Sequence, residues 1–348
     1  MMSLNKTFTR RELAMLGANL GVATVAASTL GWPGLAGAQE ARAMLGHFPS
    51  ANQQNFSKAT GSMQKALGAN VKIDFISVSA GPQILTAMAA NNMDACNMGS
   101  SPMIVGFAQG LPVSMVYMHK VVKDSECLVV RNDAGIKELK DLKGKKIGCP
   151  FNTSAHFGIL SAMKIAGLGA ADVTLVNLRP DAIPAAWQRK EIDGAYIWHP
   201  VLLSLERDNG TTIFRTGDLM ARGALIFDGL VARDTFKRQH PDLLLAYLKE
   251  IDRINTVYRT RPDEVVDVMA PFLQVPKDVV SLVVRTTHTI TPREMLTEAW
   301  MGAPGARDSG ILRAIRDQAE FLRSTDQLRS VPSDFSKFVD SSFVARMV

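Results

Sequence analysis

Little in this sequence is equipped for covalent or metal chemistry. It has three cysteines, Cys96, Cys127 and Cys149, and no Cys-x-x-Cys pair. That leaves no dithiol redox motif and no zinc-ribbon spacing. The six histidines are scattered and no His-Glu-x-x-His occurs. A nucleophile elbow of the form Gly-x-Ser-x-Gly is also missing. Gly167-Leu168-Gly169 is too short for a dinucleotide fingerprint and follows a helical pattern rather than a strand, while Gly144-Lys145-Lys146 lacks the upstream glycine and the Ser/Thr of a phosphate loop. The net charge is +6 with no dense Lys/Arg block, which argues against nucleic acid as a partner. No stretch after residue 38 runs to eighteen apolar residues, the length a membrane span would need. The expectation is a protein that is not an enzyme and holds neither metal nor cofactor, with buried thiols that pack as small hydrophobes.

The first 38 residues read as an export signal. Lys6, Arg10 and Arg11 form a basic start, Leu13 to Leu30 carries no charge, and Ala36-Gly37-Ala38 fits a small-x-small cleavage rule, so the mature chain is expected to begin at Gln39. Thr9-Arg10-Arg11-Glu12-Leu13 resembles a twin-arginine signal. Removing residues 1–38 leaves 310 residues, with 36 basic and 32 acidic groups. That length is natural for two cores.

An internal repeat supports two lobes. Ala87 to Pro102 and Ala186 to Pro200 share one pattern: a helix end, a polar turn, an apolar-Asp-small step into a short strand, and a loop opening the next helix. The preceding segments match as well. Strands are expected at 43–48 and 145–149, helices at 54–67 and 154–166, strands at 71–77 and 173–178, and helices at 80–90 and 181–189. Glu126 to Arg131 is a continuous apolar strand suited to carry the chain to the second lobe, and 223–233 a second long strand suited to bring it back. The expected organisation is 39–130 for the first segment of lobe one, 131–223 for lobe two, and 224–348 for the return crossover, the completion of lobe one and the C-terminal helices. Pro276, Pro292 and Pro332 are expected at or near helix starts. The fold class is α/β: mixed sheets flanked by helices, with a ligand cleft between the lobes.

Several residues fall at the cleft in this reading. Gly99-Ser100-Ser101-Pro102 and Pro150-Phe151-Asn152-Thr153-Ser154-Ala155-His156 place hydroxyls and free N–H groups at equivalent helix starts, a setting for a small tetrahedral anion held without Arg or Lys. Ordinary capping would select the same residues. Asp228 interrupts an apolar strand and Glu126 begins the other crossover strand. Either could face a ligand ammonium, or hold a hinge together. Trp198 closes the second repeat, where its indole could pack on a ligand.

These residues resemble those of a known family. Asn177-Leu178-Arg179-Pro180 through Ala185-Ala186-Trp187-Gln188-Arg189, then Ile192-Asp193-Gly194-Ala195-Tyr196-Ile197-Trp198, are similar to the taurine-binding proteins of bacterial sulfonate ABC importers, and so are Gly99-Ser100-Ser101-Pro102, Asp124-Ser125-Glu126 and Pro150-Phe151 with Thr153 and His156. The resemblance covers the mature chain. It implies a periplasmic solute-binding protein of type II two-lobe topology, acting as a monomer and delivering an alkanesulfonate to a permease driven by an ATPase. It further implies a sulfonate held near Ser100, Ser101, Thr153 and His156, and an amine facing Asp228. The loop Ser50-Ala51-Asn52-Gln53 has no acid where the family carries a glutamate, and no aspartate stands near Ser79. A less acidic cleft follows, leaving taurine, another small sulfonate or a related anion as the ligand. Rival readings are a nitrate-like or aromatic anion, a sensor domain, or an enzyme of the thiamin-pyrimidine type on the same fold, which would need a cysteine-rich cluster that this chain lacks.

Overall fold

A computed structural model describes residues 41–348. The expected signal and its cleavage after Ala38 lie outside the described residues. The first lobe opens with β1 (Ala41–His47), α1 (Gln53–Thr60), α2 (Ser62–Leu67), β2 (Val71–Ser77), α3 (Gly81–Ala89), β3 (Ala95–Gly99), α4 (Ser100–Ala108) and β4 (Val113–Val121). The second contains β5 (Glu126–Arg131), β6 (Lys146–Cys149), α5 (Ser154–Ile165), β7 (Thr174–Asn177), α6 (Ile183–Gln188), β8 (Gly194–Trp198), α7 (Val201–Arg207), β9 (Gly210–Arg215) and α8 (Gly217–Met220). The chain then returns through β10 (Phe227–Arg233) and continues as α9 (Asp234–Gln239), α10 (Pro241–Thr260), α11 (Pro262–Leu273), α12 (Lys277–Arg285), α13 (Pro292–Met295), α14 (Gly310–Ser324) and α15 (Ser342–Ala345).

Two five-stranded sheets result, ordered β2-β1-β3-β10-β4 and β7-β6-β8-β5-β9. The orders match position for position. In each, the repeat supplies three parallel strands, and a crossover strand enters antiparallel beside the third. The lobes therefore exchange strands: β5 follows β4 in sequence but pairs in the second sheet, and β10 follows the second lobe but pairs in the first. Both crossover strands are apolar because they lie inside a sheet with both faces covered. In β5 every residue is buried, and in β10 all but Asp228 and Arg233 are. Among the described residues, no helix is long and apolar enough to cross a membrane.

Five departures from the sequence expectations have local causes. The helix expected over 54–67 breaks at Gly61, whose φ of 67° caps α1 in the left-handed region that glycine adopts without strain. The return strand starts at Phe227 rather than 223, since Gly223, at φ 82°, still belongs to the turn after α8. Pro332 starts no helix; it lies in an irregular stretch that ends in a single bridge from Val339 to Met115. Pro271 stands inside α11, so that helix runs to Leu273, past the expected stop near Met269. The strand β4, buried at all but one position, was not expected at all, although it forms one edge of the first sheet.

The C-terminal helices cover lobe one. α10 turns Leu244, Tyr247, Leu248, Ile251, Ile254 and Tyr258 inward at helical spacing. From α14, Phe321 also reaches the second lobe, packing edge-on against Phe157 of α5 at 4.7 Å between ring centres.

Candidate ligand-binding site

Parallel strands deliver their carboxyl ends, and the loops after them, to one side of a sheet, the usual place for a ligand in open α/β folds. Here the loops after β1, β3, β6 and β8 all border a cavity of about 250 Å³. Both sheets contribute to it. Lobe one supplies Ser50, Asn52, Ser79, Asn97, Gly99, His119, Lys120 and Asp228; lobe two supplies Ser125, Glu126, Thr153, Ser154, Asp181, Trp198 and His199. The lobes come closest where α4 and α5 begin. A Cβ on Gly99 would stand 3.1 Å from Ser154 Oγ and 3.7 Å from Asp228 Oδ1, so the absence of a side chain keeps this meeting point open.

Of the nine residues singled out from sequence, six border the cavity: Ser50, Asn52, Glu126, Thr153, Trp198 and Asp228. Three do not. Ser100 is fully buried and its hydroxyl donates to Gln318 Oε1 at 2.7 Å, tying α4 to α14. Ser101 is buried in the first turn of the same helix, its Oγ without a partner. His156 stacks on Phe151 with ring centres 4.3 Å apart, and its Nδ1 accepts from the Asn152 N–H at 3.4 Å. Burial lowers its pKa, which favours the neutral ring.

Those that border the cavity are not all free to meet a ligand. Thr153 caps α5, accepting from the His156 N–H and donating to Pro150 O at 2.6 Å. Asn52 caps α1 by accepting from the Asn55 N–H at 2.9 Å, and its amide donates to Phe48 O at 2.8 Å. For both residues, capping describes the hydrogen bonds made. Ser50 Oγ accepts from Asn52 Nδ2 at 3.3 Å and keeps its own proton to donate. The helix starts still offer N–H groups of their first turns, which have no intrahelical acceptor.

The two acids behave differently from the sequence expectation of bare carboxylates. Asp228 stands directly across from Lys120 of β4, and the two form an ion pair at 3.3 Å. Facing positions on antiparallel strands bring side chains to one face, which explains the pair. Lys120 was not singled out from sequence, and its presence corrects the expectation of a site free of cationic side chains. Glu126 has no cation within ion-pair distance. Its Oε2 accepts from Ser154 Oγ at 2.7 Å and its Oε1 from Thr216 Oγ1 at 3.5 Å. Burial pushes its carboxyl up to about 7, partly offset by the Ser154 hydrogen bond and reinforced by the nearby Asp228 charge.

Sequence reading also missed a group of buried polar side chains around the cavity. Asn97 Oδ1, His119 Nδ1, Ser125 Oγ and His199 Nδ1 have no partner among the described residues. Burial holds His119 at about 3 and His199 at about 4, so both rings are neutral near pH 7. Their signal in sequence was weak: Asn97, Ser125 and His199 sit at or beside predicted strand ends or turns, where polar residues are commonplace, and His119 lies in a strand that was not expected. Buried polar atoms are ordinarily satisfied, so four such atoms around one cavity suggest that it holds a polar ligand. The thiols do not take part. All three are buried, and burial raises each above its ordinary range.

Comparison with known proteins agrees with this geometry. A family profile described as NMT1/THI5 like matches residues 68–265. The taurine-binding periplasmic protein of Escherichia coli is 32% identical over 313 residues, covering 88% of this chain and 94% of that protein. A protein of Bacillus subtilis described as a putative aliphatic sulfonates-binding protein is 25% identical, over 79% of this chain and 78% of its own length. Among solved structures, the alkanesulfonate-binding protein SsuA from Xanthomonas axonopodis pv. citri bound to MOPS superposes with a TM-score of 0.73 at 17% identity, covering 87% of this chain and 99% of that one. It shares the two-lobe α/β fold.

Proposed function

We infer from two facts, that this chain belongs to the NMT1/THI5-like family and that its two lobes meet around a polar cavity, that it is the solute-binding component of an ABC importer for a small organic sulfonate, taurine or a related alkanesulfonate. It works in the periplasm, after removal of the segment before Gln39, as a monomer without catalytic activity. A permease and an ATPase are its partners at the membrane. The links at 121–126 and 215–227 serve as the hinge, where a few dihedrals absorb the rotation of one lobe against the other.

The observation that carries this reading is the meeting of equivalent elements from both lobes at one cavity. A sulfonate has three oxygens that accept hydrogen bonds. The first-turn N–H groups of α5, the hydroxyls of Ser50 and Ser125, and the Lys120 ammonium are suited to donate them. Trp198 offers an apolar face for the carbon chain. A ligand touching both lobes favours the closed form by the difference in its affinity for closed and open states, whereas one touching a single lobe does not close the protein.

Against a thiol-based enzyme stand the cysteines, all three buried and raised above their ordinary range by burial, which makes them poor nucleophiles. Nitrate is a weaker rival than sulfonate, since the Asp228 carboxylate at the cavity would repel a bare anion, although the Lys120 pair reduces that repulsion. Calorimetric titration of the purified chain with ethanesulfonate, taurine and nitrate tests the reading. Saturable heat from at least one sulfonate and none from nitrate is expected. Silence with both sulfonates would refute it.

A further inference from the structure

We propose that Lys120 sets the charge preference of the cleft: by occupying Asp228 it excludes a ligand ammonium, and makes the site one for organic sulfonates that carry no amine. This deepens the sulfonate reading and rests on it. Among the described residues three acids border the cavity, and each already has a partner. Asp228 is paired with Lys120 at 3.3 Å. Asp181 is paired with Arg179 at 3.1 Å, and both side chains are about two-thirds exposed to solvent. Glu126 is buried at 3% exposure and committed to the Ser154 hydroxyl.

An ammonium seeking Asp228 would have to stand within hydrogen-bond distance of a carboxylate beside which Lys120 Nζ already lies. Two cations would then share one partner in a partly buried site, where like charges repel more strongly than in bulk water. An anion without an amine meets no such conflict. It approaches the ammonium of Lys120 from the cavity side while Asp228 holds that ammonium in place. The pair is held by strand register rather than by flexible loops: Lys120 and Asp228 are direct partners on β4 and β10. Its geometry is therefore part of the folded lobe and does not depend on closure.

The test is titration of the purified chain and its variants with ethanesulfonate and taurine, which differ by one amine. The unaltered protein should bind ethanesulfonate at least about tenfold tighter than taurine. In Lys120→Met, ethanesulfonate should weaken by about tenfold or more while taurine holds or gains, so that the preference vanishes or inverts. Lys120→Arg, which keeps the charge, should retain the preference and guards against a merely structural loss. Tighter or equal binding of taurine by the unaltered protein would overturn the proposal. So would equal weakening of both ligands in Lys120→Met. Failure of both sulfonates to bind any of the three proteins would overturn the sulfonate reading and the proposal with it.

Discussion

The two lobes repeat one another strand for strand, yet they treat equivalent acids in opposite ways. Asp228, the second residue of β10, lies opposite Gly99, the last residue of β3; Glu126 opens β5 opposite Trp198, the last residue of β8. In lobe one the acid meets a lysine from the neighbouring strand and keeps a share of exposure, 14%. In lobe two the corresponding neighbour is β9, which supplies Arg215 opposite Cys127 rather than opposite the acid. Arg215 turns outward to Asp124 at 3.4 Å, and Glu126 is left with hydroxyls. A shared backbone thus yields one ion pair and one carboxyl titrating near neutrality. Topology fixes where an acid stands; the single residue across from it decides its charge.

That comparison can be broken at several strengths. The largest effect is expected where the lobes meet. Gly99→Leu places a side chain against Ser154 and Asp228, and should weaken sulfonate binding by roughly a hundredfold or more in calorimetry, with the far-ultraviolet circular dichroism unchanged. Binding within threefold of the unaltered protein would show that the cavity lies elsewhere.

Next in size is the pH dependence of stability. The Glu126 carboxyl rises from 4.5 to about 7 on folding, chiefly through burial. A raised carboxyl binds more protons in the folded state, so its contribution is fully present below pH 4.5 and is lost as pH climbs through 7. It amounts to about 3 kcal/mol across that window. Glu126→Gln should remove this slope, and denaturant melts at pH 5, 6, 7 and 8 would read it. His119 acts in the other direction: held at about 3, it costs stability as pH falls from 6.5 towards 3. The two effects oppose one another between about pH 4.5 and 6.5, so for these groups stability is nearly flat there and falls on either side, and a profile unchanged in Glu126→Gln would contradict the assignment.

Binding sharpens the contrast between the acids. Since Glu126 gains charge near neutrality, raising the pH from 6 to 8 should weaken sulfonate binding by roughly threefold to tenfold. The dependence should disappear in Glu126→Gln and persist in Asp228→Asn. The smallest effect is structural. Thr153→Ala removes the cap of α5 and should cost about 1 kcal/mol in thermal or denaturant melts, with binding altered only slightly if the first-turn N–H groups are the donors.

Much of the framework was legible beforehand. The repeated helix-turn-strand pattern gave β1, β2, β6 and β7 to within two residues and a short strand at each of β3 and β8, because alternation and capping are local properties. β2 was placed at 71–77 and observed there. Trp187 is core, with its indole donating to Asp208 O at 2.8 Å. The missed strand β4 shows the limit: Val113–Val121 mixes Ser114, His119 and Lys120 with apolar residues, and its counterpart β9 was not expected either. At the site, Ser50, Glu126, Trp198 and Asp228 were placed on the cavity. Ser100 and His156 were not distinguishable from ligand donors, because their partners, Gln318 and Phe151, cannot be read from helix-start chemistry.

By itself the sequence determined the doubled α/β architecture, the crossover strands and the positions of polar residues at the strand ends, since these follow from the periodicity of short segments. Only the tertiary structure decided which polar groups remain free. Ser100 meets Gln318 across 218 positions. Asp228 meets Lys120 because β10 inserts beside β4, and Glu126 meets Ser154 because β5 lies near the start of α5. Hydrogen bonds and ion pairs form between neighbours in space, and in a fold whose lobes exchange strands those neighbours are set by topology rather than by distance along the chain.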